Sequence, residues 1–217
     1  MSAAAPRRTR MARSEREAQI LAVAHEQFAA RGFGAVTMDE VAADVGVTKP
    51  LLYNYFGNKE RLYLACLEQA AGALVDTLTR AAADAPSPGD ALRHGVRAFF
   101  AFVEEHRDRW RLLYDETLPA SGEVAERVAE QRERLARLVA TLIEQLVDPA
   151  TPEPGPAADG LAHALLGAAE SLARWWLATE ALPARATAEL LLTAVEPGIR
   201  EAAAGRNLTE NKETKTK

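Results

Sequence analysis

Residues Thr37 to Leu62 read TMDEVAADVGVTKPLLYNYFGNKERL, and this stretch decides the fold. Thr37-Met38-Asp39-Glu40 is a capping box, in which the threonine oxygen and the glutamate carboxylate each take a backbone N–H. It opens a helix that turns Val41, Ala42 and Val45 inward and stops at Gly46, a residue free to adopt the left-handed conformation. Thr48 heads a second short helix. Pro50 fits its first turn, where a residue has no intrahelical N–H bond to lose. Leu52 and Phe56 form the buried side, and Asn58 caps a longer helix from Lys59 to Ala83. Two short capped helices meeting at a tight glycine turn are the sequence form of a helix-turn-helix, here over about residues 37–56.

The second helix is unusual in what it leaves outside. Between Leu52 and Phe56 it presents Lys49, Tyr53, Asn54 and Tyr55, side chains that donate hydrogen bonds, stack and carry positive charge, as a helix in the DNA major groove must. Lys49 and Lys59 each begin a helix, where the macrodipole disfavours a cation by roughly 0.3–1 kcal/mol. A bound phosphate would reverse that cost.

Upstream, Ser14-Glu15-Arg16-Glu17 reads as another capping box. Ile20, Ala24 and Phe28 line one face of the helix it opens, and Gly32 is a plausible stop. Together with the motif, this predicts a three-helix head over residues 14–62. Its segments Thr37–Ala42, Val45–Lys49, Leu52–Phe56 and Lys59–Leu62 resemble, in order, spacing and residue type, the N-terminal domain of TetR-family transcriptional repressors. The resemblance implies a homodimer on a palindromic DNA operator, released when a small molecule in the C-terminal helical domain changes the spacing of the paired recognition helices. By position it implies phosphate contacts from Thr37, Tyr53 and Lys59. It sets Thr48, Lys49, Leu51, Asn54 and Tyr55 near base edges or flanking phosphates. Pro50 stands where the family usually has a small residue, and Tyr55 where histidine is common, so base preference does not transfer through them.

Beyond the head the chain still reads as helix, giving an all-α protein of about nine helices with a regulatory and dimerisation body over residues 63–204. Leu92, Val96, Phe99 and Val103 form a stripe near 88–106, and a shorter piece spans 107–116. A helix over 122–147 has Glu130–Arg134 and Glu133–Arg137 pairs outside. Residues 148–157, with four prolines and a glycine, predict a non-helical loop. Helices over about 158–181 and 184–204 follow, the last kinked or broken at Pro197-Gly198, and this pair is the dimerisation candidate. Adjacent residues cannot share one helix face, so one member of Phe99/Phe100 and one of Trp175/Trp176 should point into a ligand pocket or an interface. Phe100, Phe102, Trp110, Tyr114, Trp175 and Trp176 are the candidate pocket residues.

Composition bounds the rest. In 217 residues, 48% hydrophobic and 26% charged, there is material for a real core. The net charge of -5 averages two unlike parts: residues 1–62 balance at +2 and residues 63–217 at -7. Five arginines lie within the first sixteen residues, so 1–13 reads as a disordered basic arm and 205–217 as a disordered tail. A single cysteine, Cys66, excludes a disulfide framework and suggests a small buried residue. No apolar run reaches a membrane span, which makes the cytoplasm the expected compartment. His25, His94, His106 and His163 lack metal-ligand spacing, so neither a metal nor a cofactor is expected. An enzyme is not expected either: Glu104, Glu105, His106, Asp115 and Glu170 form no recognisable catalytic arrangement. A ligand-independent architectural DNA-binding protein is the remaining alternative.

Overall fold

A computed structural model describes residues 12–114, 118–146 and 154–203, and these form nine α-helices with no strand among them. Of the basic arm expected at 1–13, residues 1–11 lie outside the described residues and Arg13 is already helical, at the start of α1; the tail expected at 205–217 lies outside the described residues. α1 (Arg13–Ala35), α2 (Met38–Val45) and α3 (Lys49–Phe56) make the head, and α4 (Lys59–Ala83) leads from it into the body. The body contains α5 (Pro88–Glu105), α6 (Arg107–Leu113), α7 (Glu123–Glu144), α8 (Pro154–Thr179) and α9 (Ala184–Ala203).

Local chemistry sets most of these boundaries. The Thr37 hydroxyl oxygen accepts from the Glu40 N–H, and the Glu40 carboxylate accepts from the Thr37 N–H at 3.0 Å. Gly46 closes α2 in the left-handed region (φ 73°, ψ 35°), which lets the Val47 N–H reach the Ala42 carbonyl at 2.9 Å. Asn58 accepts from the Arg61 N–H at 2.8 Å, and Ser87 caps α5 through the Asp90 N–H. α1 departs from its expected cap. It begins at Arg13, and it is Glu15 that reaches back, to the Ala12 N–H at 3.1 Å. Gly32 (φ 75°, ψ 164°) interrupts α1 without ending it, since helix resumes to Ala35.

Three further expectations are corrected. Pro154 and Pro156 lie in the first turn of α8, where their missing N–H groups cost nothing, so 154–157 is helix; residues 147–153 are outside the described set. α9 runs unbroken through Pro197, its packing against α5 and α8 outweighing one lost backbone bond. Phe99 and Phe100 are both buried, because α5 touches α4, α6, α7, α8 and α9 and so hides more than one face; of the pair Phe99, and not the candidate Phe100, lines a cavity of the body. Of the expected pairs on α7, Glu133–Arg137 forms at 3.1 Å, whereas Glu130 pairs with Arg127.

One continuous apolar core runs through head and body. Ile20, Ala24 and Phe28 of α1 meet Val41, Val45, Leu52 and Phe56 of the helix-turn-helix and Leu62, Tyr63 and Cys66 of α4. Burial pushes the Cys66 thiol up to about 12, which leaves it chemically inert. Tyr63 sits at the joint. Its ring packs edge-on against Phe28 and Phe33 of α1, and its hydroxyl donates to the Leu112 carbonyl of α6 at 2.7 Å. No described helix of the protein is long and apolar enough to cross a membrane.

Candidate nucleic-acid interface

α3 is pinned by two buried anchors, Leu52 and Phe56, and of the residues between them Tyr53 and Asn54 turn outward while Tyr55 is half-buried. Thr48, Lys49, Pro50, Leu51, Tyr53 and Asn54 are all exposed, a run of polar, basic and aromatic groups on one short helix. Thr48 occupies the cap position without a side-chain cap bond, so it caps by backbone geometry alone. α2 holds this helix at a set angle and is itself fastened to α1. Gln27 donates to Asp44 at 2.6 Å, and Arg31 forks onto both Glu40 oxygens at 2.9 and 3.0 Å.

The two lysines have partners within the chain. Lys49 is 2.7 Å from Asp39 of α2, and that hydrogen bond and ion pair raise its pKa. Lys59 donates to the Phe33 carbonyl at 3.0 Å and stands 4.4 Å from the Phe33 ring centroid. Each macrodipole cost is therefore offset inside the protein, and a phosphate is not needed to explain either position. An ammonium has three N–H donors, so both lysines keep donors to spare. Thr37 does not: its N–H and its hydroxyl both donate to Glu40. A phosphate reaching Thr37 has to displace that carboxylate, whose pKa is lowered by its bonds from Thr37 and Arg31.

The two tyrosines part company. Tyr53 is exposed, with the Lys49 ammonium 5.9 Å from its ring. Tyr55 is half-buried against the head core, tilted against Phe56 and covered by the Arg13 guanidinium at 5.2 Å. Asp39, Arg31 and Gln27, which orient the motif, were not legible as such, since their partners lie on another helix; of Glu40 only the bonds with Thr37 were.

In the body, an apolar cavity of about 40 Å³ lies among α4, α5, α7 and α8, lined by residues that include Leu78, Leu92, Phe99, Leu138, Leu142 and Leu165. None of the six candidate pocket aromatics lines it. Phe100, Phe102, Trp110 and Trp176 are buried in the core, and the Trp176 indole donates to the Leu182 carbonyl. Trp175 points outward, 43% exposed, close to half as is Leu190 of α9 at 49%. Trp110 and Tyr114 stack at 3.9 Å between centroids and border a separate cleft between α1, α6 and α8. Burial and the nearby Glu170 carboxylate push the Tyr114 phenol upward, so it stays a donor, to Glu170 at 2.8 Å.

Comparison with known proteins follows the same division. Residues 20–66 match the family model described as bacterial regulatory proteins, tetR family, and residues 88–196 match tetracyclin repressor-like, C-terminal domain. The HTH-type transcriptional activator FasR of Mycolicibacterium smegmatis is 36% identical over 139 residues, 64% of this chain and 64% of that protein. The HTH-type transcriptional regulator HbdR of an Aromatoleum species is 29% identical over 103 residues, 48% of this chain and 45% of that protein. The chain thus spans less than two thirds of the length of these curated relatives. The crystal structure of a TetR-like transcriptional regulator from a Rhodococcus species is similar along nearly the whole length. It has 31% identity and a TM-score of 0.70, with 93% of this chain and 100% of that chain covered.

Proposed function

The chain belongs to the TetR family of DNA-binding transcriptional regulators, and on that premise we propose that it is a homodimeric repressor released from a palindromic operator by a small-molecule effector. The observation that carries this reading is the outward face of α3. In the proposed complex one α3 per subunit enters the major groove, with the two copies about 34–36 Å apart on successive half-sites. Asn54 has the amide geometry that reads an adenine edge, and Lys49 donates to a base or a flanking phosphate with the donors Asp39 leaves free. Thr48, Leu51 and Tyr55 border the same groove, and Thr37, Tyr53 and Lys59 face the phosphate backbone.

The dimer is assigned to α8 and α9. Exposed Trp175 and Leu190, one on each helix, support it, because large apolar side chains left in water are stabilised by a partner surface. Leu190→Glu should convert the dimer to a monomer in sedimentation velocity; an unchanged dimer would remove α9 from the interface.

Selection of bound sequences from a random duplex pool tests the whole reading. It should return a two-fold site, and Asn54→Ala should change the base chosen at one position per half-site. Absence of any enriched sequence would return the protein to the architectural class. Activation is a second reading, favoured by the name of the 36%-identical relative. A reporter gene placed behind the selected site distinguishes the two by the sign of its response.

A further inference from the structure

The cleft between α1, α6 and α8 has a volume of about 430 Å³, within the range of small-molecule sites. Its floor is apolar, made of Phe28 from α1, Trp110 from α6 and Leu177 from α8. Its rim is basic, with one arginine from each helix: Arg31, Arg111 and Arg174. No carboxylate lies among the described lining residues, although residues 63–217 are acidic on balance. Arg31 is already held by Glu40 and the Ala35 carbonyl. Arg111 and Arg174 make no ion pair among the described residues. Glu170, one turn back from Arg174, accepts the Tyr114 hydroxyl at 2.8 Å.

We propose that this cleft binds an organic anion, with a carboxylate or phosphate group between Arg111 and Arg174 and an apolar body over Tyr114 and Leu177. The guanidinium fork is suited to both head groups, because its planar N–H donors match their paired oxygens. A bare inorganic ion fits less well than an organic anion, since it would leave the half-buried faces of Tyr114 and Leu177 uncovered. The site also spans two functional parts. α1 belongs to the DNA-binding head and α8 to the body, so an anion held here adds a contact across the joint that the Tyr63–Leu112 hydrogen bond already bridges. A ligand that prefers one arrangement of this joint shifts the population of head orientations by its difference in affinity. This deepens the effector reading above and rests on it for any effect on operator binding; anion binding itself does not depend on that reading.

The test measures binding to the full chain with two fluorescent probes of similar aromatic body, anilinonaphthalene sulfonate, which is an anion, and phenylnaphthylamine, which is neutral. The sulfonate should bind saturably, with affinity falling as salt is added. Arg111→Gln and Arg174→Gln should each weaken it about tenfold, the loss of one charge-assisted hydrogen bond, while binding of the neutral probe and the melting temperature stay as in the wild type. Leu142→Phe, which fills the other cavity, should leave sulfonate binding unchanged. Benzoate and phenyl phosphate then compete, and whichever displaces the sulfonate at lower concentration identifies the head group. Sulfonate affinity unchanged in both arginine variants, or displacement by neither competitor, overturns the proposal. Operator selection is a separate experiment, so failure here leaves the regulator reading intact.

Discussion

Tyr63→Phe isolates the joint between head and body. The substitution keeps the ring and its edge-on contacts to Phe28 and Phe33, 5.1 and 5.2 Å between centroids, and removes only the hydroxyl. That hydroxyl is buried and donates at 2.7 Å to the carbonyl of Leu112, one residue before the end of α6. A carbonyl in the last turn of a helix has no intrahelical donor, so Tyr63 supplies the bond that α6 cannot make for itself. Removing the donor orphans a buried acceptor, which costs about 1–3 kcal/mol. At about 2 kcal/mol, a chain of this size should melt roughly 4–8 °C lower. Differential scanning calorimetry, with guanidinium titration to check that the denaturant dependence keeps its slope, reads the effect. A melting temperature within about 1 °C of wild type would show that the Leu112 carbonyl finds another partner and that Tyr63 does not tie α6 to the head.

Other perturbations probe separate parts of the molecule. Gly46→Ala places a side chain at φ 73° with no atom within 4 Å of the new carbon, so only backbone strain acts; a loss of about 1–2 kcal/mol is expected in thermal melts, and an unchanged melt would mean that the turn relaxes. Lys49→Ala should weaken binding to the selected operator across all sequences and lower the salt slope by about 1, whereas Asn54→Ala should cost about 1–3 kcal/mol at one base position. An equal effect of Asn54→Ala on every sequence would count against base reading. His25 is 6% exposed, and neither ring nitrogen finds a well-formed hydrogen bond, although Gln69 of α4 lies close by. Burial, with Arg109 of α6 nearby, lowers its pKa from the ordinary 6.5, against the opposing pull of Asp108 and Gln69. Its folded pKa is thus the depressed one: stability is full above 6.5 and is lost as pH falls from there toward the folded value. His25→Leu should flatten that part of the melting-temperature profile, and a profile parallel to wild type would assign the pH dependence to other groups.

The limits of sequence reading appear at particular residues. The Thr37–Glu40 box, the Asn58 cap and the Gly46 turn are complete within three or four residues, so their chemistry is written in the order of the chain. The outward face of α3 follows too, because Leu52 and Phe56 leave its other positions one side to occupy. Lys49 and Lys59 were visible as cations at helix starts, but their partners were not. Asp39 is ten residues from Lys49 and Phe33 is twenty-six from Lys59, and only the packing of α2 against α3 and of α1 against α4 brings these groups together.

The body divides in the same way. Apolar periodicity located its helices to within a few residues, while the prolines misled at Pro154, Pro156 and Pro197, since a first turn or strong flanking packing accommodates them. Periodicity could not reveal that α5 is wrapped by five helices, which buries both Phe99 and Phe100 and puts Phe99 at the apolar cavity. By itself the sequence determined where most helices lie, the caps at Thr37 and Asn58, and which α3 side chains are left outside, because each depends on neighbours within a turn or two. The tertiary structure alone decided which charges are spent on internal pairs, which aromatic reaches which cavity, and how Tyr63 ties head to body, because those contacts join residues that only the packing of helix axes makes neighbours.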